Sequence, residues 1–207
     1  MKRFMIYATL LSMLCILTFG VGCLKEKTFD VVVTTETSQQ FPQDERNQDL
    51  SPDPQSIELG AELDKAIADN NFDKSQITTA AFQSAFYGVF SLSTPGDWAV
   101  TGFVQVRRND VGGTPGGWVN IIQWSSENLT ALIGQKKPAA MEPAGVTVVN
   151  TAIDEYMAGT ATPVLEFQAI GTIAPSPTLQ MPLTFTWQAW LKFNIVSPWT
   201  EELPDPF

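Results

Sequence analysis

The sequence predicts an all-β fold, an antiparallel, jelly-roll-like β-sandwich with one short amphipathic helix at about residues 57–70. Three observations predict it. Residues 182–196 alternate: Leu183, Phe185, Trp187, Ala189, Leu191, Phe193 and Ile195 are apolar, and Thr184, Thr186, Gln188, Lys192 and Asn194 are polar. A period of two held this long places one face on a core and the other in water. Other short runs of this kind are separated by Gly- and Pro-rich turns, with no strand–helix–strand rhythm to build a parallel sheet. The chain has only two cysteines, Cys15 and Cys23, both near the N-terminus. The domain is therefore held by burial, which two antiparallel sheets packed face to face provide.

The elements follow in chain order. Residues 28–35 alternate through Phe29, Val31 and Val33 and read as a strand. Residues 37–55, rich in Gln, Asp, Ser and Pro, read as a long polar loop. From residue 57 the period changes. Leu59, Leu63, Ala66 and Ile67 form one helical stripe, with Ser56 as N-cap and Asn70-Asn71 as a left-handed stop. Residues 78–92 are β-like, with Phe82, Phe86 and Phe90 in one phase and Ala85, Tyr87 and Val89 in the other. Residues 98–107 and 118–125 make a hairpin around a glycine-rich turn at 109–117. Residues 146–149 read as a short strand, 152–158 as one helical turn and 164–173 as a strand. The predicted domain runs over residues 28–199, and 200–207 form a tail.

The N-terminus has its own logic. Lys2 and Arg3 precede an uncharged, mostly apolar run over residues 4–19, which closes on Gly20-Val21-Gly22-Cys23. A positive start, an apolar stretch and a small-residue end define an export signal over residues 1–22. The segment's end resembles the lipobox of bacterial envelope lipoproteins, in which a small residue precedes an acylated cysteine. Gly22 and Cys23 fit that pattern, and Gly20 departs from the aliphatic residue usual there. The resemblance implies that Cys23 is multiply acylated and that residues 23–27 tether the domain to a membrane. Leu24 follows the cysteine in place of the aspartate linked to inner-membrane retention. By resemblance, this points to an outer membrane in a cell that has one. Two other readings stay open: cleavage into a soluble secreted or periplasmic protein, and a retained membrane anchor. With Cys15 in the leader, Cys23 has no disulfide partner in its own mature chain, which favours acylation.

Charge narrows the partners. There are 12 Lys and Arg against 22 Asp and Glu. Removing Lys2 and Arg3 leaves 10 against 22, or −12. Such a surface repels nucleic acid and anionic lipid heads, so membrane attachment would come from acyl chains. The chain has no histidine, which excludes Ser-His-Asp triads, Cys-His pairs and His-ligated metals. No cofactor or metal is expected.

The candidate ligand-binding residues are Trp190, Trp118 and Trp98. Trp190 breaks the polar series of its strand, where a tryptophan can stack on a sugar ring. A loop covering it is the competing explanation. Trp118 and Trp98 flank the glycine-rich hairpin. That glycine loop lacks a P-loop lysine and opens no helix. Asp69, Asn71 and Asp73 share the spacing of a calcium loop, but Lys74 and Ala80 stand where glycine and glutamate belong. A helix C-terminal turn explains that cluster better. Asp154, Glu155 and Glu166 are the carboxylates available for a glycoside hydrolase. The sequence therefore points first to a non-enzymatic, lipid-anchored binding or structural domain with a glycan or envelope-protein partner. A carbohydrate-binding module and a carboxylate-pair hydrolase follow in that order.

Overall fold

The computed structural model describes residues 25–45, 49–50, 53–110, 116–175 and 183–203, with backbone alone for 25–45 and 199–203. The leader, Cys23, residues 111–115 of the glycine loop and the last four residues lie outside them. The chain divides into two compact units. The smaller has residues 25–31 and 198–203 among its described residues, all strand. The larger, Val32–Ser197, carries the core described below.

The strands are β1 (Lys25–Glu45), β2 (Asp49–Leu50), β3 (Gln55–Glu58), β4 (Thr79–Leu92), β5 (Ala99–Arg108), β6 (Val119–Asn128), β7 (Lys137–Pro138), β8 (Ala140–Met141), β9 (Val164–Ala174) and β10 (Leu183–Leu203). Helix α1 spans Leu59–Asp69 and α2 spans Pro143–Met157. One sheet has the order β1-β10-β4-β7 and the other β2-β9-β5-β6-β8, with β3 also pairing β9. Taking β2 and β3 as one edge, and β8 as an addition to β6, the principal strands read 1-8-3-6 and 2-7-4-5. That is the strand order of a jelly roll, as the sequence predicts.

The alternation over β10 is realised residue by residue: Leu183, Phe185, Trp187, Ala189, Leu191, Phe193 and Ile195 are all buried. Buried on the strands of the second sheet are Val100, Val104, Val106, Ile122, Trp124, Leu165 and Phe167. Across the core Trp124 stacks on Trp187 at 4.7 Å, and within the first sheet Tyr87 of the neighbouring strand stacks on Trp187 at 5.5 Å. Side chains of this size each contribute about 1.5–3 kcal/mol on burial.

Several expectations are corrected. The polar stretch at 37–55 is not one loop, because β1 continues to Glu45 and β2 and β3 follow. Sheet pairing through the backbone forms these strands without an apolar pattern. β1 also starts inside the expected tether, and β10 runs to Leu203, into the expected tail. Ser56 is not a cap. It lies in β3 opposite Glu166, and Glu58 is the N-cap residue.

Residues 146–149 are helical, within α2, so there are two helices among the described residues. Pro143 in the first turn starts α2, and Gly145, Val149, Ala152 and Ile153 form its buried stripe. A Cβ on Gly145 would lie 2.5 Å from both the Asn120 carbonyl oxygen and the Ile121 Cβ, so glycine lets α2 lie directly on β6. Tertiary packing here overrides the strand propensity of Val146, Thr147, Val148 and Val149.

The helix ends are well determined. Asn71 at φ 55° closes α1, with its N–H donating to the Ala68 carbonyl and that of Phe72 to Ile67. Gly159 closes α2 in the same manner. Both are Schellman motifs. The Asp69–Asp73 cluster is therefore a helix terminus, and Asp73 caps the short 3-10 turn Lys74–Gln76. Among the described residues, no helix is long and apolar enough to cross a membrane.

Candidate binding surface on the outer face of the first sheet

Two bulges in β4 shape its outer face. The register with β10 shifts between Lys192/Phe193 and again between Thr186/Trp187, leaving Gln83 and Phe90 unmatched on β4. The first shift puts Phe82 inward with Ala85, Tyr87 and Val89, 5.7 Å from Phe193. The expected single phase of Phe82, Phe86 and Phe90 is thus broken. Phe86 points outward and Phe90 is 62 % exposed, since a bulge re-aims the side chains around it.

Phe86 is registered opposite Trp190 of β10. Both are half-buried and point away from the core. Above them lies Lys136, its Nζ 5.0 Å from the Phe86 ring centre and 5.5 Å from that of Trp190. An ammonium over ring faces is held by the aromatic quadrupole.

The segment bearing Lys136 is fixed along the edge of β4. The Val89 N–H donates to Leu132, that of Gly134 to Val89, and that of Ala139 to Ala85. The Gln135 carbonyl occupies the space that a Cβ on Gly88 would need, and that Cβ would also lie 3.3 Å from Trp190 Cη2. Glycine at 88 therefore lets the segment approach closely enough to carry Lys136 over the rings. The adjacent Lys137 points elsewhere, donating to both oxygens of Glu127 at 2.7 and 2.8 Å. Tyr87 donates to the same carboxylate at 3.0 Å, linking the two sheets. Burial, reinforced by Glu127, pushes the Tyr87 phenol up.

The three tryptophans expected at a site are not brought together. Trp190 lies on the outer face of the first sheet, partly covered by Lys136. Trp98 is buried, and its indole donates to the Thr94 carbonyl at 2.9 Å. Its expected role as an exposed platform is corrected to a place in the core. Trp118 lies beyond the opposite end of the β5–β6 hairpin, half-buried, with the Arg107 guanidinium 4.3 Å from its ring centre. Phe86, Gly88 and Lys136 were not singled out from sequence.

The carboxylates also separate. Glu166 accepts from Arg107 and Asn109, both at 2.6 Å. Glu155 accepts from Arg108 at 3.0 Å, beside Asp110. The Arg108 guanidinium holds the Asp110 carboxyl below the ordinary carboxylate range, and the Arg108 pKa is raised in turn. Asp154 lines a separate cavity of about 310 Å³ with Ile77, Thr78, Thr79, Ala80 and Met157.

No protein-family pattern matches the chain, and no curated protein matches it. Among solved structures the chain is similar to "Structure of infectious bursal disease virus Gx strain", with TM-score 0.27 and 10% identity over 87% of this chain and 42% of that one. It is also similar to "Structure of infectious bursal disease virus Gt strain", with TM-score 0.23 and 11% identity over 87% and 41%. The chain spans about two fifths of the length of each. Likeness at this level carries no argument, and the jelly-roll reading stands on the strand order alone.

Proposed function

We propose that this chain is a lipid-anchored cell-envelope protein whose jelly-roll domain is a binding module, with the outer face of β4 and β10 as its contact surface. The observation that carries the binding role is the opposed pair Trp190 and Phe86, two outward aromatic rings side by side on a rigid sheet. Half-buried aromatics on the outer face lie outside the core, and apolar groups left partly open there mark contact surfaces. The leader and Cys23 supply the anchor reading. Acyl chains on that cysteine would hold the acidic domain at a membrane that its charge does not favour.

A second reading is favoured by the same pair. Flat rings on a β-sandwich suit the C–H face of a sugar, so the module is read as carbohydrate-binding. Cys23→Ser tests the anchor. The variant, processed at the same site, is expected in the soluble fraction, and its retention in washed membranes would count against lipidation. The released protein tests the surface. It should sediment with isolated cell-wall polysaccharide, and Trp190→Ala should weaken that association several-fold. Equal sedimentation of both proteins would remove this face from the function.

A further inference from the structure

We propose that the edge of β4 beside α2 is a second binding site, which takes an extended basic peptide as an added strand and receives one of its lysine or arginine side chains at Asp154. The site shares no residue with the Trp190–Phe86 pair and does not depend on a role for it.

The open edge carries the proposal. On the side away from β10, β4 is paired by β7 at Phe86 and Tyr87, and the flanking backbone bonds reach Ala85 and Val89. Among the described residues no strand pairs with that side of residues 79–84. An edge of this kind offers backbone donors and acceptors to an added strand. One backbone group there is met by a side chain: the Phe82 N–H donates to Asn150 Oδ1 of α2 at 2.8 Å. Backbone groups of a strand point to the same side at every second residue, and the register with β10 is unbroken from Phe82 back to Ala80. The peptide groups of Ala80 therefore point toward the same side as those of Phe82. Along α2, Asp154 follows Asn150 by four residues, roughly one turn or about 5.4 Å. Along β4, Ala80 precedes Phe82 by about 6.6 Å. Asp154 thus stands beside Ala80 much as Asn150 stands beside Phe82, and there the two elements line the cavity of about 310 Å³. That volume falls at the lower end of ligand sites.

The lining selects the side chain. Ile77 and Met157 are half-buried and apolar, whereas Asp154 is exposed and has no ion-pair partner among the described residues. No cation lines the cavity. Lys74, three residues before Ile77, is held by Asp64 at 3.2 Å and lies over the Tyr156 ring. An apolar wall with a lone carboxylate suits a side chain that has an aliphatic stem and a cationic head. The net charge of −10 draws a cationic partner. It opposes a second copy of the chain, which would bring the same charge to the same edge.

Calorimetric titration of the full-length mature protein, in detergent, tests this. The probes are a capped peptide of alternating threonine and valine with one central lysine, the same peptide with norleucine in place of lysine, an N-methylated form of the lysine peptide, and pentylamine. The lysine peptide should bind about fivefold more tightly than the norleucine peptide at low salt, the range of an exposed ion pair, and high salt should erase the difference. Asp154→Asn should remove the preference while leaving binding of the norleucine peptide unchanged, which guards against a folding defect. Asp154→Glu, which keeps the charge, should retain it. The N-methylated peptide, unable to complete the backbone ladder, should not bind. Equal affinity for the lysine and norleucine peptides, or no binding of either, would overturn the proposal. Undiminished binding of the N-methylated peptide, or pentylamine binding as tightly as the lysine peptide, would show capture of an amine without an added strand and would also overturn it. Peptide binding that appears only as a dimer of the protein dissociates, read by sedimentation in density-matched detergent, would give the edge to a second copy and overturn the choice of occupant.

Discussion

The Gln135 carbonyl oxygen sits where a side chain on Gly88 would begin, so the edge segment of the first sheet lies on bare backbone. Gly88→Ala should force the two apart. Overpacking of a rigid contact costs about 1–3 kcal/mol, readable as a lower urea midpoint at unchanged slope. Because Gln135 precedes Lys136, the same variant should also alter Trp190 fluorescence. An unchanged midpoint and spectrum would mean that the segment does not depend on glycine at 88.

The core holds an unusual pair of groups. The indole N–H groups of Trp124 and Trp187 are buried and have no acceptor among the described residues. Both tryptophans line a small apolar cavity of about 10 Å³ with Val100 and Phe185. Trp187→Ala should cost about 3–5 kcal/mol. Trp187→Phe keeps the stacking on Tyr87 and removes the unpaired donor, a group whose burial costs about 1–3 kcal/mol. It should therefore cost less than half as much as the alanine variant in chemical denaturation. Equal losses would show that the N–H is satisfied.

Acid sensitivity should trace in part to Asp110. Its folded pKa lies below the ordinary 3.8 because Arg108 donates to it. A depressed carboxylate contributes stability that is fully present above 3.8 and is lost as pH falls through the lower folded value. Asp110→Asn should be less stable near neutrality and lose less of its remaining stability on acidification. Thermal melts from pH 7 to pH 2 should show the two curves converging, and parallel curves would contradict the assignment.

The alkaline limb has a separate origin. Burial raises the Tyr87 phenol above its ordinary 10.0, with Glu127 acting in the same direction. A raised folded pKa contributes stability that is complete below 10.0 and is lost as pH rises through the higher folded value. Tyr87→Phe should lose the bond to Glu127, worth about 1.5–3 kcal/mol for a charged acceptor, and should resist alkali better than the parent. A steeper alkaline loss in the variant would contradict this.

How much of this was legible in the sequence depended on what fixed each element. β10 was legible from Leu183 through Ile195, because burial on one face writes a period of two there, and its continuation to Leu203 was not. The Asn71 helix stop was legible because few residues accept a left-handed backbone. α2 was not legible. Val146, Thr147, Val148 and Val149 favour strands locally, and only contact with β6 through Gly145 makes the helix. The strand ending at Glu45 was hidden because pairing leaves no mark on a polar sequence.

The contact surface was half legible. Trp190 showed itself by breaking a polar series, but its partners did not. Phe86 turns outward because a bulge resets the phase of β4, and bulges have no local signature in this stretch. Lys136 comes from a segment far away in sequence, and Gly88 gave no sign that it was needed for a close approach. Trp98 looked equivalent to Trp190 in composition, and its place was set by the core and by the Thr94 carbonyl four residues earlier.

The intact mass of the mature protein isolated from membranes tests the central claim most directly, since the anchor decides where the binding face works. The account predicts a chain beginning at Cys23 and carrying more than one acyl chain. An unmodified chain beginning at or after residue 23, or one still carrying residues 1–22, would contradict it.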